Sequence, residues 1–353
     1  MTDGAELLWQ PTDEAIAESQ LTAFTRWLAD ETGEAFPDYE SLWQWSVDEP
    51  DAFWMAIFNY FDVISDGRPE KALADASMPG ASWFPGVKVN YAEHIFRDRV
   101  DGETAVFSAT ETRPLTSLTW GELREQVAEI AAGLRKLGVG EGDRVAAYMP
   151  NTPETLIAFL ATSSIGAIWS SCSPDFGSGA VIDRFAQIEP KVLFAVDGYT
   201  YGGRGFDRRE VVAELVAAMP SLEHVVVTGY LNPGADLSPI DKAMGWAELA
   251  GLDPGRDLEF NRVDFEHPLW VLYSSGTTGL PKAIVQGQGG ILLEHLKKMH
   301  LHLDAQPGDR VFWFTTTGWM MWNFLVSCLL TDAAIVLYDG NPGHPDMESL
   351  WQL

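Results

Sequence analysis

At 353 residues, with 46% hydrophobic and 12% aromatic side chains, the chain has the apolar mass for a large core in one big domain or two smaller ones, which excludes general disorder. Its 51 acidic against 23 basic residues give a formal net charge of -28, a field that repels nucleic acid and anionic membranes and, unscreened, opposes the compact state. Lysine supplies only eight of the basic residues, so we expect a host with high internal salt, with an ordinary acidic cytoplasmic protein as the alternative.

Residues 1–10, with Asp3 and Glu6, lack the basic start and apolar stretch of a signal peptide, and no apolar run reaches the roughly 18 residues that would span a bilayer. A cytoplasmic protein with no nucleic-acid and no membrane partner is expected. Cys172 and Cys328 are too few for a disulfide framework and sit in apolar surroundings, as buried reduced thiols do.

Residues 1–100 are rich in Trp and Phe (Trp27, Trp43, Trp45, Trp54, Phe53, Phe58) and carry short helical stretches such as 21–28, which predicts a helical cap on something larger. Pro79-Gly80 and Trp83-Phe84-Pro85-Gly86 then punctuate the chain. A strand is predicted at 104–109. The clearest helix follows at 119–137, where Thr119 and Glu122 form a capping box, Leu123, Val127, Ile130, Leu134 and Leu137 share one face, and Gly138 is the stop. Strand 144–149, helices 153–165 and 181–188, strand 192–196, helix 211–219 and strand 224–228 come next. After a Gly- and Pro-bearing connection the pattern resumes with strand 269–273, helix 290–300, strand 310–314, helix 321–330 and strand 334–338. This alternation predicts an α/β fold of mainly parallel sheets layered with helices, with ligands beyond the carboxyl ends of the strands. Residues 346–353 begin another helical pattern (Met347, Leu350, Trp351) and cease without a stop signal, which reads as a truncated product or fragment.

The segment most specific for chemistry is Leu269 onward, LWVLYSSGTTGLPKAIVQGQGG. An apolar strand runs into Ser274, Ser275, Gly276, Thr277, Thr278 and Gly279, with Lys282 just beyond. Glycines that let backbone N–H groups approach closely, hydroxyl donors and one cation are what a bound polyanion requires. A flexible Gly/Ser/Thr loop is the bland reading of such a composition. The spacing GxxGxxK differs from the P-loop of kinases, and neither a dinucleotide glycine fingerprint nor GxSxG is present.

The ten-residue string Tyr273 to Lys282 resembles the phosphate-loop signature of the adenylate-forming enzymes. RVFWFTTTGWMMWN at 310–323, AIWSSCSPDF at 167–176, RFAQIEPK at 184–191 and the early WFPG with Asn90-Tyr91 are similar to the acetoacetyl-CoA synthetase group within them. The resemblance covers essentially the whole chain. It implies a large N-terminal adenylate-forming (AMP-binding) domain at 101–353, incomplete at its C-terminus, behind the cap at 1–100, with the C-terminal lid domain absent. It implies ATP, Mg2+ and CoA as cofactor and co-substrates, acetoacetate as the acid, and ligation through acetoacetyl-AMP with release of AMP and pyrophosphate. ATP phosphates would meet Ser274, Ser275, Gly276, Thr277, Thr278, Gly279 and Lys282, and Trp319, Met320 and Met321 would wall the acyl pocket. Catalytic residues are expected in the missing part, as are the Mg2+-placing acid and the ribose-binding aspartate.

Other short acids such as acetate or propionate, and an inactive nucleotide-binding fragment, stay open as alternatives. Gln286 and Gln288 stand where such enzymes commonly carry His, and glutamine still offers hydrogen bonds. His295, His300 and His302 with Glu294 form no HExxH pattern and read as a solvated helix face, with no metal site expected. Asp183-Arg184 and Arg208-Arg209 read as surface charges or helix-end partners.

Overall fold

The computed structural model describes residues 7–274 and 279–353. Four helices open the chain: α1 (Asp13–Glu18), α2 (Gln20–Thr32), α3 (Tyr39–Asp48) and α4 (Pro50–Tyr60). Their starts are written locally, since the side chains of Thr12, Ser19 and Asp38 each accept a backbone N–H of the first turn and Pro50 opens α4. α2 is fastened to the body by Gln20, whose N–H donates to Asp304 Oδ1 at 2.8 Å and whose Nε2 donates to the Ala305 carbonyl at 2.6 Å.

Three short strands, β1 (Leu73–Asp75), β2 (Ser82–Trp83) and β3 (Lys88–Val89), lead to α5 (Tyr91–Phe96). Asn90 caps α5, and its buried Nδ2 donates to the carbonyls of Ser163 (2.9 Å) and Asn261 (2.8 Å), joining three distant segments.

The body then alternates. β4 (Thr104–Thr110) and β5 (Thr116–Thr119) form a hairpin before α6 (Trp120–Lys136), which starts on the expected Thr119/Glu122 capping box and is followed by Gly138 at φ +79°. Such a box contributes about 1 kcal/mol. Next come β6 (Arg144–Tyr148), α7 (Pro153–Ser164), β7 (Ile168–Cys172), α8 (Ser178–Phe185), β8 (Val192–Val196), β9 (Gly198–Tyr201), β10 (Arg204–Asp207), α9 (Arg209–Ala218), β11 (His224–Thr228), β12 (Ala243–Gly245), α10 (Trp246–Ala250) and β13 (Val263–Asp264). β14 (Pro268–Ser274), β15 (Lys282–Gly287), α11 (Gln288–Lys297), β16 (Arg310–Phe312), α12 (Met320–Ser327) and β17 (Ala334–Asp339) complete the order.

A seven-stranded sheet runs β12-β11-β8-β6-β7-β14-β15, parallel throughout except for β15, which returns antiparallel to β14. β8 is buried at every position, as a central strand covered on both faces must be. A second, four-stranded sheet has the order β16-β17-β4-β5, so β17 lies inside it and β16 is its edge.

α7 is buried from Thr155 to Ser164, which explains why its sequence is apolar nearly all round. Its Phe159 is an aromatic hub, with ring centroids 5.9 Å from Trp169, 5.6 Å from Trp270 and 5.9 Å from Trp322. Pairs of this kind add about 0.5–1.5 kcal/mol each beyond the area they bury.

The expected last helix does not form. Residues 346–353 make turns, in which Ser349 Oγ donates to the Asp346 carbonyl and Asp346 Oδ1 accepts the Glu348 N–H. Such local side-chain bonds compete with helix, and Met347 and Trp351, 79% and 91% exposed, have no packing to offset the nucleation cost.

Candidate functional site

The carboxyl ends of β6, β7, β14, β16 and β17 converge where the two sheets meet. β14 carries buried Leu269, Trp270 and Val271 and then runs out to Ser274, which lies in register opposite exposed Lys282 at the start of β15. Tyr273 Oη donates to the Arg184 carbonyl (2.7 Å) and Gln187 Nε2 to the Pro281 carbonyl (3.0 Å), so α8 and the turn after it brace both arms of this hairpin. Gly279 has φ +104°, a backbone conformation that favours glycine. Of the seven expected phosphate-loop residues, Ser274, Gly279 and Lys282 are thus brought together at the strand ends; Ser275, Gly276, Thr277 and Thr278 lie outside the described residues.

The turn after β16 is sewn to the first sheet. Ser171 Oγ donates to the Thr317 carbonyl (2.7 Å), Thr317 Oγ1 to the Met149 carbonyl (2.7 Å), and Trp322 Nε1 to Asn151 Oδ1 (3.0 Å), all buried. Beside it opens a cleft of about 320 Å³, walled by Tyr199, Tyr201 and Phe206 on one side and Phe314, Tyr338 and Asp339 on the other. Burial pushes the Asp339 carboxyl up to about 6, although Tyr230 Oη donates to it at 2.7 Å.

Glu111 sets the spacing of the cleft's two walls. Its enclosed carboxylate accepts the N–H groups of Gly202 (2.8 Å) and Gly203 (2.7 Å) at the β9–β10 tip and of Asn341 (2.6 Å) after β17. Burial alone would raise its pKa, but the three donors outweigh burial and hold the carboxyl below its usual range.

The expected acyl-pocket residues separate. Met320 and Met321 line a second cavity, of about 640 Å³, between α11, β16 and α12, whereas Trp319 is 64% exposed and lies outside its lining. Neighbouring Trp322 belongs to the core.

The two glutamines hold the scaffold. Gln286 Oε1 accepts from Trp270 Nε1 (2.5 Å), and buried Gln288 Oε1 accepts the Tyr91 N–H (2.9 Å). The expected solvated histidine face is corrected: His295 is 5% exposed because it falls on the buried face of α11, His300 packs 4.7 Å from the Phe61 ring, and only His302 is exposed. Among the described residues no group of three or more His, Cys, Asp or Glu is placed to hold a metal ion, and no helix is long and apolar enough to cross a membrane. Arg208 departs from a plain surface charge, since it donates to the Pro174 carbonyl (2.9 Å) and to Tyr199 Oη (3.0 Å). Both cysteines are buried free thiols, pushed up to about 12 by burial.

Sequence reasoning missed Glu111, Tyr230 and Asp339. Asp339-Gly340 directly follows a predicted strand at its carboxyl end, which was a usable signal; Glu111 had none, because its partners lie about 90 and 230 residues away.

A family model described as "AMP-binding enzyme" matches residues 97–353, and one described as "Acetyl-coenzyme A synthetase N-terminus" matches 39–95. The chain is 44% identical to the acetoacetyl-coenzyme A synthetase of Rhizobium meliloti (strain 1021), covering 96% of this chain and 52% of that protein, and 39% identical to the acetoacetyl-CoA synthetase of Rattus norvegicus, covering 99% and 53%. The solved structure of acetoacetyl-CoA synthetase from Streptomyces lividans superposes with a TM-score of 0.93 at 51% identity, over 99% of this chain and 53% of that one. The chain therefore spans about half the length of the relatives it matches. With the family model covering most of its length and the Ser274–Lys282 hairpin at the strand ends, the chain belongs to the AMP-binding enzyme family.

Proposed function

We propose that this chain carries the ATP-phosphate and acyl-binding part of an acetoacetate–CoA ligase. Acetoacetate carboxylate attacks the α-phosphorus of ATP, pyrophosphate leaves, and a CoA thiolate then displaces AMP from the acyl carbon to give acetoacetyl-CoA. Bringing a carboxylate to a polyanion calls above all for alignment and charge neutralisation. The observation that carries the reading is the hairpin that sets Ser274 opposite Lys282 at the carboxyl edge of a parallel sheet.

On this reading Ser274, Ser275, Gly276, Thr277, Thr278, Gly279 and Lys282 receive the β- and γ-phosphates with their Mg2+, and Met320 and Met321, with Trp319 at the rim, confine the acid. Residues 1–100 act as a cap on the adenylation region 101–353. The acidic composition supports work in a salt-rich cytoplasm.

The test is acetoacetate-dependent pyrophosphate release from MgATP in molar KCl, with acetate as comparison acid, by the 353-residue chain alone and mixed with the C-terminal half of the Streptomyces lividans relative. Release is expected to favour acetoacetate, and Lys282→Ala should weaken ATP binding and release about 10- to 100-fold by removing a charge-assisted contact. Equal ATP binding by wild type and Lys282→Ala, with no release in either mixture, would sink the assignment.

A further inference from the structure

The 640 Å³ cavity between α11, β16 and α12 has an apolar wall that includes Ile291, Trp313, Met321, Phe324 and Leu325. It is far larger than a four-carbon acid fills, so shape alone discriminates poorly between small acids. Five polar side chains line it as well, Gln286 from β15 and Glu294, His295, Lys298 and His302 from α11 and the turn that continues it, and of these Gln286 and His295 are each oriented from behind by a neighbouring donor.

Trp270 Nε1 donates to Gln286 Oε1 at 2.5 Å. Because an indole nitrogen only donates, this contact identifies the oxygen end of the amide and leaves its NH2 as the free end. Tyr91 Oη lies 2.8 Å from His295 Nδ1, and Tyr91 is fully buried with no other partner for its hydroxyl among the described residues.

If Nδ1 donated to the phenol, the phenolic O–H would be left unpaired in the core; the arrangement that satisfies both groups has Tyr91 donating and Nδ1 accepting. The neutral ring then carries its proton on Nε2, and burial keeps it neutral by pushing its pKa down to about 3. Neither Gln286 Nε2 nor His295 Nε2 has a hydrogen-bond partner among the described residues, and neither is among the sealed unpaired atoms, so both donors reach the cavity.

We infer that Gln286 and His295 are a carbonyl-reading pair, presenting two N–H donors to the oxo oxygen of a small acid and selecting an oxo acid over its hydrocarbon counterpart. The inference rests on the ligase reading for the acid's carboxylate end and deepens it by naming what reads the chain. An oxo group pairs both donors; a methylene in its place leaves them stripped of water and unsatisfied, which is how hydrogen-bonding sites reject analogues that lack the partner.

Acetoacetate and butyrate titrated against the 353-residue chain with ATP present, followed by saturation-transfer NMR, test this. Acetoacetate is expected to bind about 10- to 100-fold more tightly than butyrate. Gln286→Met and His295→Phe should each bring the ratio towards one by weakening acetoacetate while butyrate binding is unchanged. His295→Gln, which can accept from Tyr91 and still donate, should restore most of the preference, a rescue that a purely structural role does not predict. Melting curves establish that each variant folds, and the half-buried Gln286 site keeps the test open if His295→Phe does not.

Butyrate binding as tightly as acetoacetate in the wild type, or a preference that survives in both Gln286→Met and His295→Phe, overturns the inference. Pentan-2-one separates the two readings. A chain that holds this neutral ketone through Gln286 and His295 but binds neither acid keeps the carbonyl pair and loses the ligase reading, whereas one that binds neither the acids nor the ketone loses both.

Discussion

His94 shows what single residues contribute and when. It is 4% exposed; its Nε2 accepts the Ile64 N–H (2.9 Å), so its Nδ1 carries the proton given to the Asn90 carbonyl (2.8 Å). Burial, the largest influence, pushes its pKa down to about 4. The unfolded chain takes up a proton near pH 6.5 while the native ring does not, so stability from this group is complete above about pH 6.5 and is lost as pH falls towards about 4. In urea titrations from pH 7.5 to 4.5, wild type is expected to lose stability at up to about 1.4 kcal/mol per pH unit more than His94→Gln, whose amide can make both bonds without titrating. Parallel pH curves for the two proteins would remove His94 as a source of the acid sensitivity. The sequence could have placed His295 as well: Ile291, Leu292, Leu296 and Met299 mark a buried stripe at helical spacing, and His295 sits on it, four residues from Ile291 and four from Met299. Reading the histidines by residue type rather than by that stripe put them in solvent.

At the scale of elements, the apolar strands and the capped helices were legible because periodicity and caps are local. β8 and β11 match their predicted ranges at both ends, and α6 lies within one residue of its own. β7 was missed because IWSSC shows no alternation; its serines are tolerated in the core because Ser170 Oγ donates to the Val271 carbonyl (2.8 Å) and Ser171 Oγ to that of Thr317. The β9–β10 hairpin was missed although Gly202-Gly203, at φ +61° and +72°, is a two-residue turn signature. α11 starts two residues before its predicted Gly290, because the glycines that look like loop lie within the helix. A Cβ on Gly289 would meet the Phe265 ring, while one on Gly290 meets nothing within 4 Å. Gly289→Ala should therefore cost about 1–3 kcal/mol by overpacking, and Gly290→Ala should stabilise by about 0.5 kcal/mol, both read from urea midpoints. Two variants of equal stability would show that the close approach of Phe265 to α11 is not what holds this helix start.

For the whole molecule, the net charge of -28 sets the conditions under which every such measurement works. None of α1 to α4 has a basic residue in its last turn, so the acidic excess around the N-terminal helices is not offset at their carboxyl ends, where a cation would favour the helix dipole. Several ion pairs are exposed, such as Lys88–Asp264 at 3.8 Å, and contribute little. Repulsion among exposed charges is screened over about 10 Å at 0.1 M salt but over about 3 Å at 1 M, so raising salt weakens the many long-range repulsions more than it weakens the few short attractions. The melting temperature is thus expected to rise by a few degrees between 0.1 and 2 M KCl, at the roughly 2–4 °C per kcal/mol typical of larger domains. NaCl at equal ionic strength should give nearly the same rise, and sucrose at equal osmolality a smaller one, because screening acts on charge and exclusion does not. A melting temperature that is flat or falls with KCl would mean that the acidic surface does not destabilise the fold, and the salt-rich host would lose its physical basis.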